Sequence, residues 1–148
     1  GMHEEIVAVT PEVEDDENEA IEVVTPATYY LKNGKHYIVY EEVVEGTSGV
    51  IKNRIKINGD ECVEIVKSGL SNSHMIFEKN KKNQTFYKTP YGQMLIGVNT
   101  RHLQVDFEED KIAVQIDYEL DVNHEPMADC KIRMNIVSKD SGKFSVLS

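Results

Sequence analysis

The chain has 148 residues, 40% of them apolar and 28% charged, which suits one soluble domain with a core of its own. Sixteen basic against 26 acidic residues give a net charge of −10, a balance that repels nucleic-acid phosphates. The apolar runs are a few residues long, far short of the ~20 needed to span a membrane as a helix.

Gly1 before Met2 reads as the scar of a cleaved tag, which leaves residues 2–148 as a single domain with 138–148 as a loose C-terminal tail. Met2-His3-Glu4-Glu5 has neither the basic start nor the apolar stretch of an export signal, so a cytoplasmic protein is expected. In that compartment Cys62 and Cys130 read as free thiols or small buried apolar side chains. The acidic run Glu12, Glu14, Asp15, Asp16, Glu17, Glu19 lacks the spacing and the glycine of a calcium loop and reads as a solvated loop between two strands. Pro26 interrupts Ala20–Lys32 and is expected to kink it.

From there the period is two. Asn33-Gly34 separates a strand over Ala27–Lys32 from one over Lys35–Val44, and Asn-Gly supplies the positive φ that a tight hairpin turn requires. A two-residue turn here sets Tyr30 opposite Tyr37, Tyr29 opposite Ile38 and Tyr40 opposite Ala27. Asn58-Gly59 separates Val50–Ile57 from Glu61–Lys67. A two-residue turn would oppose Ile65 to Lys52 and Val63 to Arg54. A three-residue loop, opposing Val63 to Ile55 and Glu64 to Arg54, matches the side chains better. Strands over Leu70–Glu78 and Gln84–Thr89 flank the basic turn Lys79-Asn80-Lys81-Lys82-Asn83, and Thr89-Pro90-Tyr91-Gly92 forms the next turn. Between Gln93 and Phe107 the phase changes: Met94, Ile96 and Val98 are even, whereas Leu103, Val105 and Phe107 are odd. An extra residue near Asn99–His102, a β-bulge, is therefore predicted. The clearest alternation is Ile112, Val114, Ile116, Tyr118, Leu120, Val122, followed by Ala128, Cys130, Ile132, Met134, Ile136. Pairing Val122 with Ala128 puts Asp117 opposite Arg133 and Glu119 opposite Lys131 on a wet face. On the dry face it puts Tyr118 opposite Ile132 and Ile116 opposite Met134.

About ten strand pieces joined by short connections predict an all-β fold. The expected form is a single antiparallel up-and-down meander, closed into a barrel of about eight to ten strands because closure removes exposed edges. Tyr40-Glu41-Glu42, the Lys67-Ser68-Gly69 turn, Met75-Ile76-Phe77-Glu78, Tyr87-Lys88-Thr89-Pro90-Tyr91-Gly92 and the long strand ending at Leu120 follow one another in a distinctive order. Over roughly Val24 to Val137 this order and spacing resemble the YwiB-like family of small uncharacterised bacterial proteins. The resemblance implies a calycin-like, lipocalin-shaped barrel in a bacterial cytoplasm. The family has no established activity, so the resemblance implies no catalytic or binding residues.

The residues themselves offer little catalytic chemistry. The five histidines show no HxH or HxxxH spacing, there is no CxxC, and no metal or other cofactor is expected. There is no G-x-S-x-G elbow; Ser73 and His74, as neighbours on a strand, point to opposite faces. Gly46-Thr47-Ser48-Gly49 lacks the helix and lysine of a phosphate loop. Lysines at 79, 81, 82 and 88, and the basic trio Lys52, Arg54 and Lys56, read as charges that blunt exposed edges rather than as an RNA platform. A non-enzymatic protein is expected, with no nucleic-acid or membrane partner. An eight-strand barrel is just filled by side chains or holds one small ligand, so the expected function is binding of a small apolar molecule inside. The expected lining is Tyr29, Tyr40, Met75, Phe77, Tyr87, Tyr118 and Met134. The alternative is a filled barrel serving as a structural or protein-interaction module, through its outer face or as a homodimer.

Overall fold

Turn residues with left-handed backbone set the hairpins. Asn33 and Gly34 have φ of 53° and 76°, and Asn123 and His124 have φ of 50° and 71°. Two successive positive φ values twist the backbone in the sense of the flanking strands, so each pair closes a two-residue hairpin. The computed structural model describes residues 3–15, 21–22, 24–70 and 72–138, and its regular elements are all strands. They are β1 (His3–Asp15), β2 (Ile21–Glu22), β3 (Thr25–Lys32), β4 (Lys35–Val43), β5 (Val50–Asn58) and β6 (Cys62–Gly69), then β7 (Ser73–Glu78), β8 (Lys82–Thr89), β9 (Gly92–Phe107), β10 (Lys111–Val122) and β11 (Glu125–Ser138). Among the described residues no helix is long and apolar enough to cross a membrane.

All pairings are antiparallel, and the ladders run in the order β7-β6-β5-β4-β3-β1-β11-β10-β9-β8, with β2 paired to β1 off this path. Each strand of the path lies beside a chain neighbour, as a meander requires, and β1 bridges β3 to the last strand, β11. The ladder expected between β7 and β8 is absent among the described residues, so the path is open at that one place.

The β3–β4 register is the expected one, with Tyr30 opposite Tyr37 and Tyr29 opposite Ile38. The bulge in β9 is also where the phase change puts it: Asp117 pairs with His102 and Tyr118 with Thr100, leaving Arg101 as the extra residue. Two expected registers need correction, both by two residues. In β10–β11, Ile116 pairs with Ile132, Tyr118 with Cys130 and Glu119 with Asp129. The turn is only Asn123-His124, and a register shift after Leu120 absorbs Met127. In β5–β6 the loop does have three residues, but it opposes Ile55 to Ile65 and Lys56 to Glu64. Alternation repeats every two residues, so a two-residue slip keeps every side chain on its face and the pattern alone cannot detect it.

Three boundaries differ as well. Glu12, Glu14 and Asp15 belong to β1, where Glu12 lies opposite Arg133 and Glu14 opposite Lys131; residues 16–20 lie outside the described residues. Pro26 lies within β3 rather than breaking it, beyond the Thr28–Lys32 stretch that pairs with β4, so its missing N–H costs no bond there. The strand expected from Leu70 starts at Ser73. Of the expected tail, Ser138 ends β11 and 139–148 lie outside the described residues.

The dry face forms one continuous core, in which Ile38, Ile55, Ile57, Val63, Phe77, Val98, Leu103, Val114 and Ile116 are fully buried. The outer face of β10 carries carboxylates, each bonded to a base from a different strand. Asp117 bonds Arg133 of β11 at 2.9 Å, Glu119 bonds Arg101 of β9 at 2.7 Å, and Asp121 bonds Lys82 of β8. Gly97 lets the last pair form: a Cβ there would lie 3.0 Å from Lys82 Cε and 3.2 Å from Asp121 Oδ2.

Ile116→Ala leaves a cavity in this core and is expected to cost ~2–5 kcal/mol, whereas exposed Gln104→Ala should stay within about 0.5 kcal/mol. Urea denaturation checks this: the midpoint falls for the first variant only, with the slope unchanged.

Candidate functional site

Alternation along each strand decides which side chains enter the interior, and it delivers most of the expected lining. Phe77 of β7 and Tyr118 of β10 meet edge-on with ring centroids 4.9 Å apart. Tyr40 and Met134 are buried in the same core, and Tyr29 and Met75 pack against it partly buried. Tyr87 is half-buried on the inward side of β8 and lies outside this cluster. Burial pushes the Tyr118 phenol above its usual range, and Cys130 beside it adds to the effect.

A recess of about 230 Å³ opens at the end of the interior bounded by the β3–β4 and β9–β10 turns. Its walls are Tyr29, His36, Phe107, Ile112 and Ile136, and the Glu108–Lys111 turn forms its rim. Tyr29 and His36 lie diagonally across the Asn33-Gly34 hairpin, and the Tyr29 hydroxyl is 2.7 Å from His36 Nδ1. Burial lowers the His36 pKa, so near neutral pH the ring is uncharged and its Nδ1 is engaged with the tyrosine. Phe107 comes from the end of β9, its ring 4.9 Å from that of His36. Tyr29 is the only expected lining residue in this recess. His36 escaped the sequence reading, which drew no site from the five histidines. The available signal was its even-numbered phase, shared with Ile38 and Tyr40.

Toward the opposite end the interior turns polar. Glu42 Oε1 accepts from Asn53 Nδ2 at 2.6 Å and from Lys67 Nζ at 3.0 Å. Burial alone would raise the Glu42 pKa, but these two bonds and the lysine charge outweigh it and hold the carboxyl below its usual value. Asn53 is fully buried, and its Oδ1 has no partner. Tyr40 lies next to Asn53 across the β4–β5 ladder.

A second recess, of about 240 Å³, lies between β7 and β8. Met75 and Ile76 form one wall, Asn83, Gln84 and Thr85 the other, and Val98 lies behind. Met75 is the only expected lining residue here.

The comparisons with known proteins agree with this architecture. Residues 6–134 match the family model described as Domain of unknown function (DUF1934). The chain belongs to this family. A relative, the "Uncharacterized beta-barrel protein YwiB" of Bacillus subtilis (strain 168), is 32% identical over 114 residues, covering 76% of this chain and 78% of the relative. The crystal structure of the ywiB protein from Bacillus subtilis superimposes with a TM-score of 0.70 at 23% identity, over 93% of this chain and 92% of that one. The resemblance carried by Tyr87–Gly92 and the strands before it is therefore borne out, and with it an all-β fold shared with an uncharacterised β-barrel protein.

Burial first, and then the Glu42 charge, push the Tyr40 phenol up to about 12 from the ordinary tyrosine value of 10.0. The folded state holds this proton more tightly than the unfolded chain, so the stability tied to it is intact below pH ~10 and is lost between pH ~10 and about 12. Phenolate absorbance should show Tyr40 still protonated in the folded protein where free tyrosine ionises and losing its proton only near pH 12, and in Tyr40→Phe the alkaline loss of stability should be shallower.

Proposed function

We propose that the protein is a non-enzymatic cytoplasmic β-barrel that binds a small, largely apolar molecule at the Tyr29–His36–Phe107 end of its interior. The ladder path curls into a calycin-like barrel. This closure is supported by the Phe77–Tyr118 contact between strands far apart on the path, and by a relative described as a beta-barrel protein. The observation that carries the binding reading is the recess of about 230 Å³ with aromatic and aliphatic walls. An apolar cavity of about 150 Å³ already holds benzene, so this one suits a single substituted ring. The neutral Tyr29–His36 couple gives such a ring one polar handle, and Phe107 gives it a face to stack on.

The test uses phenol and indole as probes on the full chain. NMR shifts should concentrate on Tyr29, His36, Phe107, Ile112 and Ile136. Phe107→Ala should weaken binding roughly two- to tenfold, as loss of an aromatic contact worth ~0.5–1.5 kcal/mol implies. Shifts scattered over the surface, or none at millimolar probe, would refute the reading. Native mass spectrometry of protein from its own host, before and after denaturation, would reveal the resident molecule.

Phe86 and Tyr91, 68% and 99% exposed on the β8–β9 hairpin, favour a second reading, in which the outer surface docks a partner protein or a second copy. In sedimentation equilibrium a second copy would appear as a dimer that Tyr91→Ser weakens.

A further inference from the structure

Lys79-Asn80-Lys81 joins β7 to β8 as the turn of a hairpin, and the Lys81 amide donates to the Glu78 carbonyl at 3.0 Å. A hairpin this tight normally zips into a ladder, as β3–β4 and β10–β11 do. Here the two strands separate instead: among the described residues β7 forms a ladder with β6 and β8 with β9, and neither with the other. The recess of about 240 Å³ lies in the gap, between residues that a closed hairpin would pair: Ile76 and Gln84, and Met75 and Thr85, are equidistant from Asn80 in the chain.

We propose that this seam receives an extended peptide as an added strand, apolar where it faces inward and acidic toward its ends. A strand with a ladder on one side leaves every second N–H and C=O on the other side unpaired. The seam therefore presents two such rows facing each other, and an extended backbone meets both at once, which a compact apolar molecule cannot do. The side chains reinforce the point. Asn83 lines the recess, and its Nδ2 is buried with no partner. Thr100 is 1% exposed with an unpartnered Oγ1, two residues beyond Val98 on the same side of β9. A peptide carbonyl is the acceptor that the Asn83 donor lacks.

Charge selects the ends of the peptide. Lys82 is spent on Asp121 and Lys81 on Glu78, whereas Lys79 and Lys88, near either end of β8, have no ion pair among the described residues. Carboxylates at both ends of a peptide of about eight residues, the length of β8, would reach them. Phe86, exposed on β8, would cover one outward side chain of the guest strand.

The test is amide hydrogen exchange on the full chain with three synthetic probes: the capped octapeptide EVTVTVTE, its basic-ended counterpart KVTVTVTK, and the proline-broken EVTPTVTE. In the free protein about half of the β7 and β8 amides should exchange quickly. Millimolar EVTVTVTE should slow them at least tenfold, and the other two peptides at least tenfold less effectively. The double variant Lys79→Glu/Lys88→Glu, altered only at exposed positions, should reverse the preference between the acidic and basic peptides. The inference fails if the seam amides are already slow in the free chain, if no peptide protects them, or if the double variant keeps the original preference. Phenol binding at Tyr29 and Phe107 is a separate readout, so either site can fail without the other.

Discussion

Phe77 and Tyr118 stand on strands that are far apart along the ladder path, yet their rings touch in the interior. That contact requires the path to curl until its inward faces meet. Strand twist supplies the curvature, and burial of the alternate side chains supplies the driving force, roughly 1.5–3 kcal/mol for each large apolar residue removed from water. The remaining features are positioned by this curl. It carries the β3–β4 and β9–β10 turns to one end, where Tyr29, His36 and Phe107 surround a recess. It also brings β7 back beside β8 without joining them.

The interior has two characters, and chemistry separates them. At the aromatic end, burial disfavours charge: it lowers the His36 pKa, and the ring's Nδ1 is engaged with the Tyr29 hydroxyl. At the other end a carboxylate and an ammonium are tolerated because each bonds the other and Asn53 completes the set. Glu42 and Lys67 are only partly shielded, which keeps the cost of desolvation small. The outer face of β10 is different again. Its ion pairs with Arg133, Arg101 and Lys82 tie β8, β9, β10 and β11 together; the first two are partly exposed and worth little each, whereas Asp121 is buried beside Lys82.

What the sequence could reveal follows from the period of two. Which face a residue occupies was legible wherever apolar and polar residues alternate, and six of the seven expected lining residues lie in or against the core. The Arg101 bulge was legible because a change of phase has no other cheap explanation. Exact partners in β5–β6 and β10–β11 were not, since a slip of two residues leaves the pattern unchanged and only the turn decides. β1 was obscured because its acidic residues alternate with apolar ones in a stretch whose composition suggests a solvated loop; its basic neighbours in β11 become visible only after folding. The recess at His36 and Phe107 depends on two hairpins distant in the chain, and no local pattern encodes such a meeting.

The extra residue in β9 has a consequence for how this fold can vary. Before Arg101 the even positions face inward, and after it the odd ones do, so the strand is two half-strands written in opposite phase. Exchanging Arg101 for another residue forfeits little beyond its bond to Glu119. Removing it outright would turn either Leu103 and Val105 or Val98 and Thr100 out into water. At this position the fold constrains the count of residues more tightly than their kind, and drift within the family should respect length here before identity.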